Sequence, residues 1–319
     1  MEPIELVVSS VQQEAPGIRG ITLIRASGDP LPGWTAGAHV DVEIPGGGHR
    51  SYSLVNTSDQ ADVTTSPSSY RLGVRLDEAG RGGSAFMHLL KKGDTLRVSH
   101  PKNNFALTPT DDEVVLLAGG IGITPIASMA AELRAQGKRF RLVYAARNRI
   151  GLAFFQELTR LCSPTLCVHC DDEGGMYDLR ALMVSLETQP LYLCGPTALI
   201  DAAIALAKEL GWQEGRLRFE LFSAAAPSEG DTAFDVILSR SGKRVHVRAD
   251  QTILDALTDA GETPNCDCRC GDCGLCQVGV IDGLPDHRDY YLSEKEKSSN
   301  KFIQICVSRS KTSELTLDI

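Results

Sequence analysis

The 319-residue sequence lacks a surplus of basic residues, because 41 acidic side chains outnumber 32 lysines and arginines and give a formal net charge of −9. Proteins that bind nucleic acids or anionic membrane surfaces normally present a basic patch. The composition is otherwise ordinary for a globular protein, with 42 % hydrophobic and 23 % charged residues. We therefore expect neither a nucleic-acid partner nor a membrane partner.

Signals for export and for membrane insertion are also missing. The N-terminal Met-Glu-Pro-Ile-Glu-Leu stretch has neither the basic nor the apolar segment of a signal peptide. The uncharged run from Val114 to Ala131 is long enough to span a membrane, but Gly119-Gly120 and Thr124-Pro125 indicate a strand, a turn and the start of a helix. Ten cysteines without a secretion signal fit a reducing compartment. The expected location is the cytoplasm.

Four cysteines near the C-terminal end have the spacing of an electron-transfer cluster. Cys268, Cys273 and Cys276 form a C-x4-C-x2-C pattern, and Cys306 follows after 29 intervening residues. This is the plant-type ferredoxin spacing for a 2Fe-2S cluster. Zinc is the alternative, but structural zinc sites usually take paired ligands at both ends, and here the second end offers one cysteine. We predict a 2Fe-2S cluster held by these four residues.

Two further cysteines, Cys266 and Cys270, exceed the four that a cluster needs. Either could serve as a substitute ligand, but neither belongs to the C-x4-C-x2-C register. We interpret them as loop thiols near the cluster and assign them no role.

The hydrophobic pattern predicts a multidomain protein. Residues 1–108 carry short alternating runs, which indicate an antiparallel β-barrel. Residues 109–224 alternate buried strands with amphipathic helices, which indicates a parallel-sheet α/β nucleotide domain. Residues 225–231 have the composition of a linker. Residues 232–319 contain a hairpin, a short helix with a capping box at Thr252-Ile-Leu-Asp255, and the cysteine loop, an order that suits a β-grasp ferredoxin domain.

A glycine run between a predicted strand and a predicted helix, Gly119 to Gly122, indicates a pyrophosphate site. It is not the G-x-G-x-x-G fingerprint, since Pro125 occupies the third position and no acidic residue follows at the usual distance. A structural tight turn is therefore an alternative. Arg147, after the second strand, and Cys194-Gly195-Pro196, after the fourth, support a nucleotide site, although a surface charge and a buried thiol would explain them separately.

The first domain carries groups suited to flavin mononucleotide. Arg50 offers a charge for phosphate, Tyr52 an aromatic face and Ser53 a hydroxyl. The segment from Gly80 to Ser84 precedes a helical stretch and predicts a second anion site. A strand edge and a loop are the alternative interpretation of these two segments.

Five ordered motifs resemble the phthalate dioxygenase reductase family over nearly the whole chain. They are Arg50-Ser-Tyr-Ser-Leu54, Gly80-Arg-Gly-Gly-Ser84, Gly119-Gly-Ile-Gly-Ile-Thr-Pro125, Cys194-Gly-Pro196 and the cysteine pattern that closes at Cys306-Val-Ser-Arg309. The resemblance implies an FMN-binding barrel, an NAD-binding domain and a plant-type ferredoxin domain. It also implies that electrons pass from NADH to a separate Rieske-type terminal oxygenase, which is an aromatic-ring dioxygenase or an O-demethylase.

The resemblance implies a set of residues for each cofactor. The residues that hold FMN are Arg50, Ser51, Tyr52, Ser53, Val74, Arg81, Gly82, Gly83 and Ser84, with Phe222 over the flavin ring. The residues that face NADH are Gly120, Gly122, Thr124, Arg147, Cys194, Gly195 and Pro196. The crowded loop with Cys266 and Cys270 departs from the family's usual pattern.

Cofactor chemistry explains the predicted order of domains. NADH donates two electrons as hydride, but a 2Fe-2S cluster accepts one at a time, so a flavin has to stand between them. No side-chain acid or base is required, and we assign no catalytic residue of that kind. One alternative changes the acceptor to a cytochrome P450 or a free electron carrier. An alternative of another class is a redox sensor that holds cofactors without turnover.

Charged residues give two further expectations. Residues 232–319 contain 14 acidic and 11 basic side chains, so we expect an oxygenase partner to dock electrostatically near the cysteine loop. The candidate contacts are Asp267, Asp272 and the segment from Asp286 to Asp289. Three acids after the third strand of the nucleotide domain, Asp171, Asp172 and Glu173, would repel a 2′-phosphate and predict NADH rather than NADPH.

Overall fold

The computed structural model describes residues 2–46, 48–60, 62–78, 80, 82–223 and 230–319. The chain divides into two compact units, residues 1–220 and residues 221–319. Most of the predicted linker, residues 225–229, lies outside the described residues. Within the described parts of the chain, the helices are too short or too polar to cross a membrane.

An antiparallel sheet occupies the first part of the first unit. Its elements are β1 (Ile4–Ala15), β2 (Ile18–Ile24), β3 (His39–Glu43), β4 (His49–Ser53), α1 (Asp62–Thr65), β5 (Tyr70–Arg75), α2 (Gly83–Leu89) and β6 (Thr95–Val98). The strand order is β4-β3-β6-β1-β2-β5. The outer strands β4 and β5 meet through a bridge between Leu54 and Leu72, and the amide of Val55 donates to the carbonyl of Arg71 at 2.8 Å. The sheet therefore closes on itself, which confirms the predicted barrel.

A parallel sheet occupies the rest of the first unit. Its elements are β7 (Val114–Gly119), α3 (Ile123–Ala135), β8 (Phe140–Ala146), α4 (Phe155–Cys162), β9 (Leu166–Cys170), α5 (Asp171–Gly174), α6 (Leu179–Val184), β10 (Leu191–Cys194), α7 (Thr197–Glu209) and β11 (Leu217–Glu220). The strand order is β11-β10-β7-β8-β9. The chain reverses its winding direction between β7 and β10, and α/β folds bind ligands at the carboxyl ends of such a strand pair. The uncharged run from residue 114 to residue 131 forms β7, a turn and most of α3, as expected.

Polar contacts fix the barrel to the α/β sheet within the first unit. The guanidinium of Arg71 donates to both carboxylate oxygens of Glu157, at 2.6 and 3.1 Å. The hydroxyl of Thr57 donates to the same carboxylate at 2.6 Å. Burial acts to raise the pKa of Glu157, but the hydrogen bonds from Arg71 and Thr57 outweigh it and hold the pKa below its ordinary value of 4.5. The two sheets therefore meet through a charged junction.

The second unit is built on a mixed sheet. Its elements are β12 (Phe234–Leu238), β13 (Arg244–Val247), α8 (Ile253–Asp259), β14 (Gln277–Asp282), β15 (Pro285–Asp286), α9 (Glu294–Ser299), β16 (Phe302–Gln304), β17 (Arg309–Ser310) and β18 (Glu314–Leu317). The strand order is β13-β12-β18-β14-β16, and β12 and β18 are parallel. The buried face of α8, with Ile253, Leu254 and Leu257, packs into the same core as the sheet. The predicted β-grasp ferredoxin fold is confirmed.

Helix caps in the second unit differ in part from the expectation. The hydroxyl of Thr252 accepts from the amide of Asp255 at 3.0 Å, as predicted. The carboxylate of Asp255, however, accepts from Arg269 in the cysteine loop at 2.9 Å. A complete capping box lies at Ser293 and Glu296, before α9. The S-x-x-E signature of this second box was readable in the sequence but was missed.

Candidate cofactor sites

The four predicted cluster cysteines come together in the second unit. The sulfur of Cys276 lies 3.1 Å from the sulfur of Cys306. The sulfur of Cys268 is in hydrogen-bond contact with those of Cys273 and Cys306. Cys276 lies next to the start of β14 and Cys306 next to the end of β16, and these two strands are paired antiparallel. Strand pairing therefore brings the distant fourth cysteine to the loop that carries the other three.

Two glycines allow the cysteine loop to be this tight. Gly271 and Gly274 have φ angles of 82° and 78°, in the left-handed region that favours glycine. A Cβ atom on Gly271 would lie 2.6 Å from Cγ2 of Val307, and one on Gly274 would lie 2.3 Å from Cζ of Tyr291. Both the backbone conformation and the space thus require glycine, and the Tyr291 ring lies directly over the loop.

The electrostatics of the four sulfurs suit a metal cluster. The pKa of Cys268 is lowered because the thiols of Cys273 and Cys306 donate hydrogen bonds to its sulfur. The pKa of Cys276 is lowered in the same way by Cys306, whereas the pKa values of the two donors are raised. Cysteine binds a metal as the thiolate, so cluster binding releases the protons of those thiols that are still protonated. Four soft donors around one small volume fit a 2Fe-2S cluster.

Both surplus cysteines lie beside this group. The amide of Cys270 donates to the sulfur of Cys268 at 3.3 Å. Burial raises the pKa of Cys266 to about 11, and this side chain packs against the core of the second unit. A raised pKa opposes the thiolate form that a ligand needs. The exclusion of both residues from the ligand set stays a prediction.

The predicted nucleotide motifs meet at the reversal point of the parallel sheet. Cys194, the last residue of β10, is paired with Ala118 of β7. A Cβ atom on Gly122 would lie 2.1 Å from the carbonyl oxygen of Cys194, and one on Gly195 would lie 3.1 Å from Cα of Gly119. The glycines therefore let the turn before α3 contact the end of β10. This 13-residue helix begins directly after the turn, and the positive end of its dipole is suited to a pyrophosphate.

The other predicted nucleotide residues surround this contact. Thr124 is buried, and its hydroxyl donates to the carbonyl of Ile121 at 3.1 Å. Pro196 precedes α7, and its Cδ atom lies 2.8 Å from the position that a Cβ of Gly119 would take. Arg147 is exposed just after β8.

The acidic segment after β9 lies next to Arg147. The amide of Asp172 donates to the carbonyl of Arg147 at 3.1 Å. Arg149 binds the carboxylate of Glu173 at 2.6 and 3.2 Å, and the carboxylate of Asp171 lies 3.4 Å from Nε2 of His169. Asp171 and Asp172 are exposed.

The predicted flavin residues of β4 are divided between its two faces. Arg50 and Tyr52 have buried Val42 and Val40 as cross-strand partners on β3. Side chains alternate along a strand, so Ser51 points to the other face, where its hydroxyl donates to Asp41 at 2.6 Å.

Glycine again allows a close approach at the flavin site. A Cβ atom on Gly83 would lie 2.5 Å from Cγ of Arg50, so Arg50 lies against the start of α2. Gly82, with a φ of 81°, precedes this helix. The amide of Asp77 donates to the hydroxyl of Ser84 at 3.0 Å. The structure thus brings Arg50 to the segment that the sequence analysis predicted as a second anion site.

The remaining flavin predictions have different outcomes. Ser53 is buried, and its hydroxyl lies 3.5 Å from the carboxylate of Glu220 on β11. Val74 is buried in the barrel core, and its carbonyl is hydrogen bonded to Nε2 of His88 at 2.9 Å. Arg81 lies outside the described residues. Phe222 belongs to the second unit and is 44 % exposed, and its position over the flavin stays a prediction.

Several candidate docking residues are held inside the second unit. The carboxylate of Asp289 is buried and accepts from the amide of Leu292 at 2.8 Å and from the hydroxyl of Ser308 at 3.3 Å. Asp289 as a surface contact is therefore wrong, because its carboxylate has no access to a partner. The carboxylate of Asp272 accepts from the amide of Leu221 at 3.3 Å, and burial together with the Cys268 sulfur raises its pKa to about 7.

Apolar side chains are exposed beside the cysteine loop. Leu275 is 52 % exposed and Tyr291 is 51 % exposed. The charge pattern of the sequence did not indicate this surface, because its two side chains are uncharged. Leu275 lies between the predicted ligands Cys273 and Cys276 in the sequence, and this position was the available signal for an apolar side chain beside the cluster.

The chain is similar to known proteins over nearly its whole length. Residues 236–311 match the family of 2Fe-2S iron-sulfur cluster binding domains. A vanillate O-demethylase oxidoreductase from Pseudomonas sp. is 39 % identical over 323 residues, covering 99 % of this chain and all of that protein. One similar solved structure is that of a phthalate dioxygenase reductase, described as a modular structure for electron transfer from pyridine nucleotides to a 2Fe-2S centre. It is 37 % identical with a TM-score of 0.77, and the match covers 99 % of this chain and 98 % of that one. A self-sufficient cytochrome P450 monooxygenase is 37 % identical with a TM-score of 0.76, covering 99 % of this chain but 41 % of that one.

These similarities extend over the whole chain, so they apply to the barrel, the parallel sheet and the ferredoxin domain together. The protein is an oxidoreductase, and the predicted cofactors NADH, FMN and a 2Fe-2S cluster are confirmed. The chain belongs to the phthalate dioxygenase reductase family.

Proposed function

We propose that this oxidoreductase delivers single electrons from NADH to a separate Rieske-type terminal oxygenase, which is an aromatic-ring dioxygenase or an O-demethylase. The observation that carries the proposal is the convergence of four cysteine sulfurs next to an exposed surface. The family supplies the rest of the support, since a 39 % identical relative is named for vanillate O-demethylation.

Cys268, Cys273, Cys276 and Cys306 are assigned as the cluster ligands. The support is their mutual contact through hydrogen-bonded sulfurs and the glycine-dependent turn of the loop. When bound, the cluster would supply one-electron chemistry, and FMN would supply the conversion between two-electron hydride chemistry and one-electron transfer. The protein's own part is to hold these groups in order and to keep water away from them.

The nucleotide and flavin sites are assigned to the first unit, with functional boundaries at residues 1–108 and 109–224. The turn from Gly120 to Thr124 and the segment from Cys194 to Pro196 hold the NADH pyrophosphate, with Arg147 at the adenosine end. Arg50 and the segment from Gly82 to Ser84 hold the FMN phosphate, because they contact each other and both can donate to an anion. Tyr52 and Ser53, the last two residues of β4, contact the flavin.

The acceptor docks on the surface of Leu275 and Tyr291, beside the ligand loop. Electron transfer needs the cluster close to the acceptor, and these two side chains lie on or within the loop. An apolar centre surrounded by charged residues is typical of transient interfaces. Asp286, another of the predicted contacts, is half-buried and accepts from Arg288 at 2.8 Å.

A cytochrome P450 is the second candidate acceptor, because a P450 monooxygenase contains a region that matches 99 % of this chain. The test is NADH oxidation by the purified holoprotein with two acceptors in parallel, a Rieske oxygenase and a P450, each followed by substrate conversion. Transfer to the oxygenase at ten or more times the P450 rate supports the proposal. Preference for the P450, or equal rates with both, contradicts it.

A further inference from the structure

Gly73 lies in the middle of β5, where a turn does not explain a glycine. Its φ is not positive, and the strand continues on both sides of it. Glycine inside a strand is unfavourable because it loses more conformational freedom than other residues and offers no side chain to pack. A close approach by another part of the protein is the remaining physical reason for a glycine in such a position.

Two side chains of the α/β sheet region occupy the space that a Cβ atom of Gly73 would need. That atom would lie 2.6 Å from Cγ2 of Thr124 and 3.0 Å from Cε2 and Cζ of Phe154. Thr124 is the second residue of α3, directly after the nucleotide-binding turn. Gly73 is therefore the point where a barrel strand touches the nucleotide site.

Neither neighbour can move aside easily. Thr124 is 1 % exposed, its hydroxyl is hydrogen bonded to Ile121, and a β-branched side chain in a helix has few rotamers. Phe154 is 3 % exposed and has a φ of 57°. The guanidinium carbon of Arg71 lies 4.7 Å from its ring centroid, and Arg71 is itself bound to Glu14 and Glu157. An added methyl group at Gly73 would thus push β5 and the start of α3 apart.

We propose that Gly73, together with Phe154, is a positioning residue that sets the distance between the flavin and the nicotinamide. The inference rests on the proposed function, in which Thr124 lies at the NADH site, and on the family resemblance, which implies that Val74, the next residue on β5, holds the flavin. Hydride transfer needs the two reacting atoms about 3 to 3.5 Å apart, and a displacement of about 1 Å can cost about 100-fold in rate. A contact between the two binding elements fixes that spacing before either ligand binds.

The experiment is anaerobic stopped-flow mixing of the holoprotein with NADH, following flavin bleaching. For Gly73→Ala we expect the limiting rate constant of hydride transfer to fall roughly 10- to 100-fold, while the apparent Kd for NADH, the flavin content and the cluster spectrum change little. A limiting rate within twofold of the wild type overturns the proposal. If Gly73 had a purely structural role, Gly73→Ala would lose flavin or folded protein, and the rate constant of hydride transfer would not change selectively.

Two companion variants test the cause. Thr124→Ser removes the Cγ2 atom and keeps the hydroxyl, so combining it with Gly73→Ala should restore part of the rate, a non-additive result. Additive losses would contradict the steric account. Gly279→Ala is the matched control, because Gly279 is also a strand glycine and its Cβ would meet Asp318 at an ordinary 3.4 Å. Its flavin bleaching should be unchanged.

A further variant applies if Gly73→Ala does not retain flavin. Phe154→Leu removes the ring atoms nearest to Gly73 and should lower the limiting rate by loosening the contact, and an unchanged rate in that variant overturns the proposal. Failure of the proposed function would appear already in the wild-type protein, as absence of NADH-driven flavin bleaching. The two failures are therefore distinguishable.

Discussion

The cysteine site of the second unit and the nucleotide site of the first unit are built on opposite plans. The cysteine site uses side-chain sulfur atoms, three of them from nine consecutive residues. The nucleotide site is formed by backbone segments that pack closely because glycine has no Cβ atom. A Cβ on Gly122 would lie 2.1 Å from the Cys194 carbonyl oxygen. Substitutions in the cysteine site should therefore act by removing a sulfur ligand. Substitutions of glycine in the nucleotide site should act by adding a side chain that clashes with the backbone.

The largest effect should come from the cysteine site. Cys268→Ser should abolish the visible absorption of the 2Fe-2S cluster, because serine is a poor substitute for a soft thiolate. NADH-driven flavin bleaching should persist, and transfer to the oxygenase should be lost. Cys270→Ser is the matched control and should keep the cluster. The reverse pattern, with Cys270 essential and Cys268 dispensable, would show that the ligand register is wrong.

The second effect concerns an obstacle in the nucleotide site. Gly122→Ala should separate the turn before α3 from β10 and lower kcat/KM for NADH by roughly 100-fold. Gly120→Ala is the comparison, since Gly120 has a φ of 56° and no atom within 4 Å of its missing Cβ. It should have a smaller effect, from backbone strain of about 1 to 2 kcal/mol. Steady-state kinetics with NADH measure both, and equal effects would remove the steric explanation.

A smaller effect is expected at the edge of the nucleotide site. NADPH should be a poor substrate, and the double substitution Asp171→Asn and Asp172→Asn should improve kcat/KM for NADPH by about fivefold, since exposed charge interactions contribute up to about 1 kcal/mol. The kcat/KM for NADH should change less. Comparable efficiency of the wild type with both nucleotides would contradict the charge argument.

The smallest effect is expected at the junction of barrel and parallel sheet. Glu157 has a lowered pKa, so its charged form stabilises the fold above the unfolded pKa of about 4.5, and this contribution disappears as pH falls through the folded pKa. Glu157→Gln should reduce the free energy of unfolding at pH 7 by about 0.5 to 1.5 kcal/mol. The difference should vanish at acid pH. Denaturant titrations at several pH values measure it, and a difference that grows on acidification would contradict the assignment.

The cysteine site was predictable because its information is local. The C-x4-C-x2-C spacing fixes which sulfurs can converge, and the glycines at 271 and 274 show where the loop must turn. The barrel and the α/β pattern followed from hydrophobic periodicity, which reports whether each side of an element is buried. The burial of Asp289 was not predictable, because its partner Ser308 lies 19 residues further along the chain.

The sequence by itself determined the cofactor class, the order of the folds and the glycines of the nucleotide turn, because each depends on residues close together in the chain. Only the tertiary structure decided the strand order that places β10 beside β7, the charged junction at Glu157 and the contact of Gly73 with Thr124 and Phe154. These features join residues 50 or more positions apart, and sequence spacing carries no information about which distant surfaces pack together. The glycine in β5 looked like a weak point of a strand, and its neighbours in space show why a side chain does not fit there.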